Sequence, residues 1–367
     1  MRRMIVDTHV YAFTRPDLPV SDARTAIRMR ALQRMHAHHH QPAWYTDDRT
    51  PADAQAMGGA LVGATPLPDV GFRVDEEHGR VAWTQDGREA TKQIMPPALH
   101  QAAWPAGMLI GAMDHAGVDV ALIHTDHCLA QSVADLGAWV ARHPDRLRSM
   151  APVDEWRIPA EPDAVIAELQ HAVRVAGLHA LKFIPPYAWD AGSPAWDGPA
   201  FDAFWAAVEE LGIPVFFTLG GHPGQADPLS GYIDELARVR RWLDQHPTLR
   251  AGLTHGFPYR ELLVGDRLVV PDAIWSVFDA DRLFLEVSFP IRVGDRFDHP
   301  WREVWPVLRE MVERVGADQL MWGTDMPFQD RFCTYRQSRD LIGRYAPLSD
   351  AERAAILGGT AARLLGI

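Results

Sequence analysis

The strongest constraint on the fold is a repeated alternation. Short apolar runs, each about the length of a β-strand, are followed by segments of helical period. Eight such runs occur, at residues 4–10, 119–125, 148–153, 179–184, 214–219, 250–255, 283–288 and 320–325. Most are apolar at nearly every position, the pattern of parallel strands covered on their outer face. The intervening segments have recognisable helix ends. Residues 132–143 stop at Pro144, 161–177 close on Gly177, and the helix opened by Pro199 closes on Gly212. Residues 301–316 keep a helical period through Pro306, and Ser349 with Glu352 forms a capping box near the C-terminus. This alternation predicts a (β/α)8 TIM barrel built from residues 1–10 and 111–367. A doubly wound open sheet is the alternative, but no glycine-rich phosphate loop is present to support it.

The repeat is broken once. Residues 11–110 interpose between the first two strands, far more than a structureless loop usually holds. Within them lie a helical stretch at 23–40 and a hairpin pattern around Asp86-Gly87. Leaving the top of strand one, the insertion is expected to overhang the barrel mouth as a lid or a dimerisation arm, which suits a homodimer.

Charge and cysteine content narrow the partners. A formal charge of −12 argues against a nucleic-acid or anionic-membrane surface. No apolar stretch approaches the roughly 18 residues of a membrane span. With only Cys128 and Cys333 there is no disulfide framework, and a reducing cytoplasm is the expected compartment. The partner class left is a small-molecule substrate. Of the 36 basic residues only Lys92 and Lys182 are lysines, so a lysine kept within the apolar strand at 179–184 stands out.

In such a barrel chemistry gathers at the C-terminal strand ends. The polar residues there are Asp7 and His9, His124, Asp154, Lys182, Thr218, His255, Glu286 with Ser288, and Asp325. Three histidines, a lysine and several carboxylates are too polar a set for packing alone. Asp7 and His9, two apart on one strand, are expected to share a face. The histidine run at 36–40 is read as solvent-facing. Tyr187, Trp189 and Trp196 after strand four point to a flat or apolar substrate body, or to a rim packed on the insertion.

These segments resemble the amidohydrolase superfamily, in the branch that holds aminocarboxymuconate-semialdehyde and gamma-resorcylate decarboxylases and related lactonases. VDTHV, GVDVALIHTDH, GLHALKFIPPY, HPTLRAGLTHGFP, GADQLMWGTDMPF and AERAAILGGTAARLLG carry the likeness in order. The resemblance implies a divalent metal, Zn or Mn, held by a His-x-His on strand one, a histidine ending strand five and an aspartate ending strand eight. His9 and Asp325 match that pattern, whereas Tyr11 and Thr218 stand where two of the histidines belong. A phenol and a hydroxyl are poor ligands, so the metal set is incomplete. Asp7, His222, His124 and the insertion's histidines are candidate replacements.

The resemblance implies an enzyme using Asp325 and His255 as acid and base. Lys182 and Tyr11 would stabilise substrate charge, and Thr218, His222, His124 and Trp189 would line the substrate. Arg292 and Arg331 are candidates to clamp a second carboxylate bidentately, with nothing in the sequence to place them. The leading expectation is hydrolysis of a small carboxylated or aromatic lactone, amide or C–C bond. The alternatives are non-oxidative decarboxylation of an aromatic or unsaturated acid, and a metal-free barrel without catalysis.

Overall fold

The computed structural model describes residues 4–14, 22–39, 41–58, 67–75, 77–93, 95–96, 99, 103–129, 131–220, 227–279 and 281–367. Eight parallel strands pair in chain order: β1 (Val6–Val10), β2 (Val120–Ile123), β3 (Leu147–Ala151), β4 (Ala180–Phe183), β5 (Val215–Phe217), β6 (Ala251–Leu253), β7 (Leu283–Val287) and β8 (Leu320–Trp322). The end of β8 returns to β1. Val10 bridges Met326, Tyr11 N–H donates to Met326 O at 2.7 Å, and Asp325 N–H donates to His9 O at 2.7 Å. The expected (β/α)8 barrel is therefore present.

The strand period of two organises its interior. Val6, Leu122, Met150, Phe216, Phe284 and Met321 form one buried cluster with Ala361 and Leu364 of the C-terminal helix, which plugs the bottom. Two residues further along the strands, the same inward face carries Thr8, His124, Lys182, Thr218 and Glu286. An apolar layer thus supports a polar one at the mouth. The plug fits closely: a Cβ at Gly358 would come within 2.2 Å of Met4 O.

Helix ends follow their local chemistry. Ser132 caps the helix Val133–Arg142 through Asp135 N, and the expected capping box of Ser349 and Glu352 is formed. The segment 301–316 is not one helix through Pro306. A 3₁₀ turn at Arg302–Val304 leads into the helix Trp305–Arg314, with Pro306 in the first turn, where a missing N–H costs nothing.

The insertion has structure of its own. It holds the helix Asp22–His38 and a four-stranded antiparallel sheet. The turn at Asp86-Gly87 has φ of 53° and 74°, as a tight hairpin of type I′ requires. Arg34 of that helix makes an ion pair with Asp190 beyond β4, so the helix reaches over the C-terminal strand ends.

Outside the barrel, Trp196, Trp205 and Trp242 pack around Phe183 and Phe217. Beneath them Glu235, on the helix Pro228–Gln245, is fully buried and accepts from Trp196 Nε1 at 2.9 Å. Burial pushes its carboxyl from 4.5 up to about 7. Folded Glu235 keeps its proton across the window in which an unfolded glutamate has lost it, so stability falls as pH rises from about 4.5 to 7. Glu235→Gln has no such proton to lose. Urea unfolding should show the variant gaining on the native chain between pH 5 and 8, on the order of 1 to 3 kcal/mol. A pH-independent difference would exclude the buried acid as the cause.

Candidate active site

Six of the sequence-predicted residues meet at the mouth: His9, Tyr11, His124, Lys182, His255 and Asp325. Two of the three imidazoles stack and the third lies tilted against them. His9 lies 3.6 Å from His124, at 13° between planes, and 4.4 Å from His255. His124 Nε2 donates to Thr8 O at 2.7 Å, which leaves Nδ1 to accept from Lys182 Nζ at 2.9 Å. Asp325 Oδ1 stands 3.4 Å from His9 Nε2 and 3.7 Å from His255 Nε2. Tyr11 OH lies 3.3 Å from the same His9 nitrogen.

Glu286 ties this set together. Its Oε2 accepts from the backbone N–H of His255 at 2.7 Å and from His9 Nδ1 at 2.8 Å, while Oε1 accepts from Thr8 Oγ1 at 3.2 Å. Because Oε2 already accepts from His255, the ring proton of His9 is assigned to Nδ1. The lone pair on Nε2 then faces Asp325.

Burial dominates the electrostatics. It lowers His9 to about 3 and holds His124 and His255 well below 6.5, with Lys182 and Arg292 adding to the effect, so all three rings are neutral. Burial raises Asp325 to about 6 and Glu286 to about 8, and lowers Lys182 to about 8. Arg292, just after β7, has no ion-pair partner among the described residues, and its charge acts on Asp325, His9 and His255.

Other expectations are corrected. Asp7 does not share the mouth with His9. The β1 register is irregular between Asp7 and Val10, and Asp7 turns to Thr324 Oγ1 at 2.6 Å and His9 N at 2.9 Å as a brace. Trp189 lies away from the imidazoles, under the Arg238 guanidinium at 5.3 Å and hydrogen-bonded to Glu235. Thr218 is at the mouth, but its hydroxyl is engaged with Thr254 Oγ1 at 2.7 Å. His36 is buried, not solvent-facing. Its carbonyl accepts from Lys92 Nζ at 2.6 Å, so the second lysine closes the end of the insertion helix. His222 lies outside the described residues. Glu286 was counted among the polar strand ends but was given no task of its own, although a lone acid within the apolar run LFLEV was a usable signal.

Among the described residues two groups of donors lie close enough to hold an ion: His9, His255 and Asp325, and His9, His124 and Glu286. The second is a hydrogen-bond network, since both nitrogens of His124 are engaged. The first fits a divalent metal, with two neutral imidazoles, a carboxylate and positions left open, as in catalytic sites. His255 thus joins His9 and Asp325 in the candidate set. Tyr11, whose phenol burial pushes well above 10, does not.

With this geometry in place, the family follows from sequence. The amidohydrolase family model matches residues 34–367. The chain belongs to the amidohydrolase family. It is 26% identical over 219 residues to gamma-resorcylate decarboxylase of Rhizobium sp. (strain MTP-10005), a match spanning 52% of this chain and 62% of that relative's length. Solved structures share the fold. 2,6-Dihydroxybenzoate decarboxylase from Rhizobium has a TM-score of 0.53 at 19% identity, covering 73% of this chain and 90% of its own. A dihydroxybenzoic acid decarboxylase from Polaromonas sp. JS666 with bound manganese has a TM-score of 0.50 at 19% identity, covering 70% and 85%. No helix among the described residues is long and apolar enough to cross a membrane.

Glu286 offers a direct test of the assembly. Glu286→Ala strands the buried donors of His9 and the His255 backbone, and unfolding should show a loss of about 3 kcal/mol or more. Glu286→Gln, which keeps an acceptor there, should lose less than half as much. Equal losses would mean that the carboxyl only fills space.

Proposed function

We propose that this amidohydrolase-family protein is a carbon–carbon lyase that removes carbon dioxide from an aromatic acid without oxidation. The observation that carries the reading is Asp325: a buried carboxyl beside two neutral imidazoles, raised to about 6 and so able to carry a proton near neutral pH. Decarboxylation needs an acid at carbon, whereas hydrolysis needs first a base for water. The relatives named as decarboxylases support the same choice over the hydrolase expectation.

The chain's residues divide the work. Arg292 and Lys182 attract the anionic substrate. Asp325 delivers its proton to the ring carbon that bears the carboxylate. The bond to the carboxylate carbon breaks, its electron pair returns to the ring, and carbon dioxide leaves. Asp325 then regains a proton from water, so carboxylate and proton become arene and carbon dioxide. Glu286 keeps the lone pair of His9 toward Asp325, and His255 presents a neutral nitrogen to substrate oxygens. A divalent ion held by His9, His255 and Asp325 would supply Lewis-acid polarisation of a substrate oxygen.

Screening aromatic acids such as 2,6-dihydroxybenzoate, with and without added Mn²⁺ or Zn²⁺, should release one carbon dioxide per arene formed. Asp325→Asn should lower kcat by about 10²- to 10⁴-fold. Turnover of lactones or amides without carbon dioxide, or an Asn variant within about tenfold of native, roughly 1.4 kcal/mol of barrier, overturns the assignment.

A further inference from the structure

Beside the imidazoles, on the side of β2 to β4, lies a chamber of about 610 Å³ whose walls include Thr125, Asp126, Glu155, Lys182 and Ile184. Lys182 is 2% exposed yet borders this open volume. Its Nζ reaches His124 Nδ1 at 2.9 Å, and it makes no ion pair among the described residues. That ring nitrogen offers a lone pair, because the proton of His124 is committed to Thr8 O through Nε2. The acids nearby in the wall are engaged elsewhere. Asp126 Oδ1 accepts from Tyr187 OH at 2.8 Å and from Cys128 N at 3.0 Å. Glu155 Oε1 accepts from Ile184 N at 2.7 Å, and Oε2 meets His127 Nε2 at 2.9 Å. A buried amine beside a neutral acceptor, with no carboxylate paired to it, is favoured as the uncharged base.

The chain's other lysine shows that burial alone does not make such a site. Burial lowers Lys92 and Lys182 alike to about 8. Lys92 Nζ, however, donates to the carbonyls of His36 and His39, and Lys92 is not in the wall of this chamber. Uncharged Lys182 gives one N–H to His124, which turns the nitrogen lone pair away from that ring. The lone pair and the second N–H are left for a molecule in the chamber.

We propose that Lys182 is a nucleophilic amine that captures a small aldehyde or oxo acid in this chamber as an imine. The nitrogen lone pair bonds to the carbonyl carbon, and one amine proton passes to the carbonyl oxygen. The hydroxyl so formed leaves as water with the second amine proton, and a C=N bond remains, so no oxidant or reductant is consumed. The adduct removes the charge that Lys182 offers an anionic substrate, and capture therefore competes with that substrate. The inference does not rest on the lyase reading, because the amine reacts without turnover.

Reductive trapping tests this directly, since the chain has only two lysines to compare. Native protein is treated with glyoxylate and cyanoborohydride at about pH 8, and the adducts are located by peptide mass spectrometry. The peptide carrying Lys182 should gain its adduct about tenfold faster, or more, than the peptide carrying Lys92. In the urea-unfolded chain the two lysines should react alike. His124→Phe should slow the Lys182 adduct by about threefold or more, with the Lys92 rate unchanged as the sign of an intact fold. A Lys182 adduct no faster than that of Lys92, or a preference that survives unfolding, overturns the site. A Lys182 rate untouched by His124→Phe overturns the part given to His124.

Discussion

The mouth of this barrel is organised by one carboxyl. Glu286 gathers a side chain from β1, a ring from β1 and a backbone amide from beyond β6, and it does so where water cannot substitute. Each of those donors, left alone, would cost about 1 to 3 kcal/mol of desolvation. Burial keeps Glu286 protonated near neutrality, and Oε2, which meets the two nitrogen donors, keeps its acceptor capacity when the proton rests on Oε1. The hub is therefore neutral. It orients His9 without adding negative charge that Asp325 would have to oppose.

Two residues of the site also carry backbone strain. His255 and Asp325 have φ of 64° and 67°, the left-handed region that costs a non-glycine residue roughly 1 to 2 kcal/mol. Both are clamped by their own amides, His255 onto Glu286 and Asp325 onto His9 O. The second clamp is also the seam that closes β8 on β1. Closing the barrel and aiming Asp325 are thus one event. Gly323 allows the approach, for a Cβ there would press within 3.0 Å of His9 Cβ and 3.1 Å of Thr8 Oγ1.

The barrel was legible because its signal is periodic. Apolar runs fix strands, caps and glycines fix helix ends, and period two places polar strand-end residues above an apolar layer. His9, Lys182, His255 and Asp325 were legible for the same reason. What escaped was set by contacts distant in sequence. Glu286 joins residues 8, 9 and 255, and no local pattern encodes that meeting. Asp7 was misplaced because an irregularity in β1 interrupts the alternation on which the inference depended. Trp189 was misplaced because it lies on a short helix, Pro185–Asp190, whose outer side faces Arg238.

The same burial bears on the proposed loss of a carboxylate. Three imidazoles kept neutral cannot anchor a carboxylate as cations would, so on the proposed reading binding charge is left to Arg292 and Lys182. A carboxylate desolvated beside Asp325 pays the penalty that raises Asp325 itself, and carbon dioxide, being neutral, escapes it. Binding energy gained at the cations can then be spent on that desolvation rather than on holding the ground state. On that reading, moving positive charge onto His9 or His255 would reverse the balance, by stabilising the carboxylate that the proposed reaction removes.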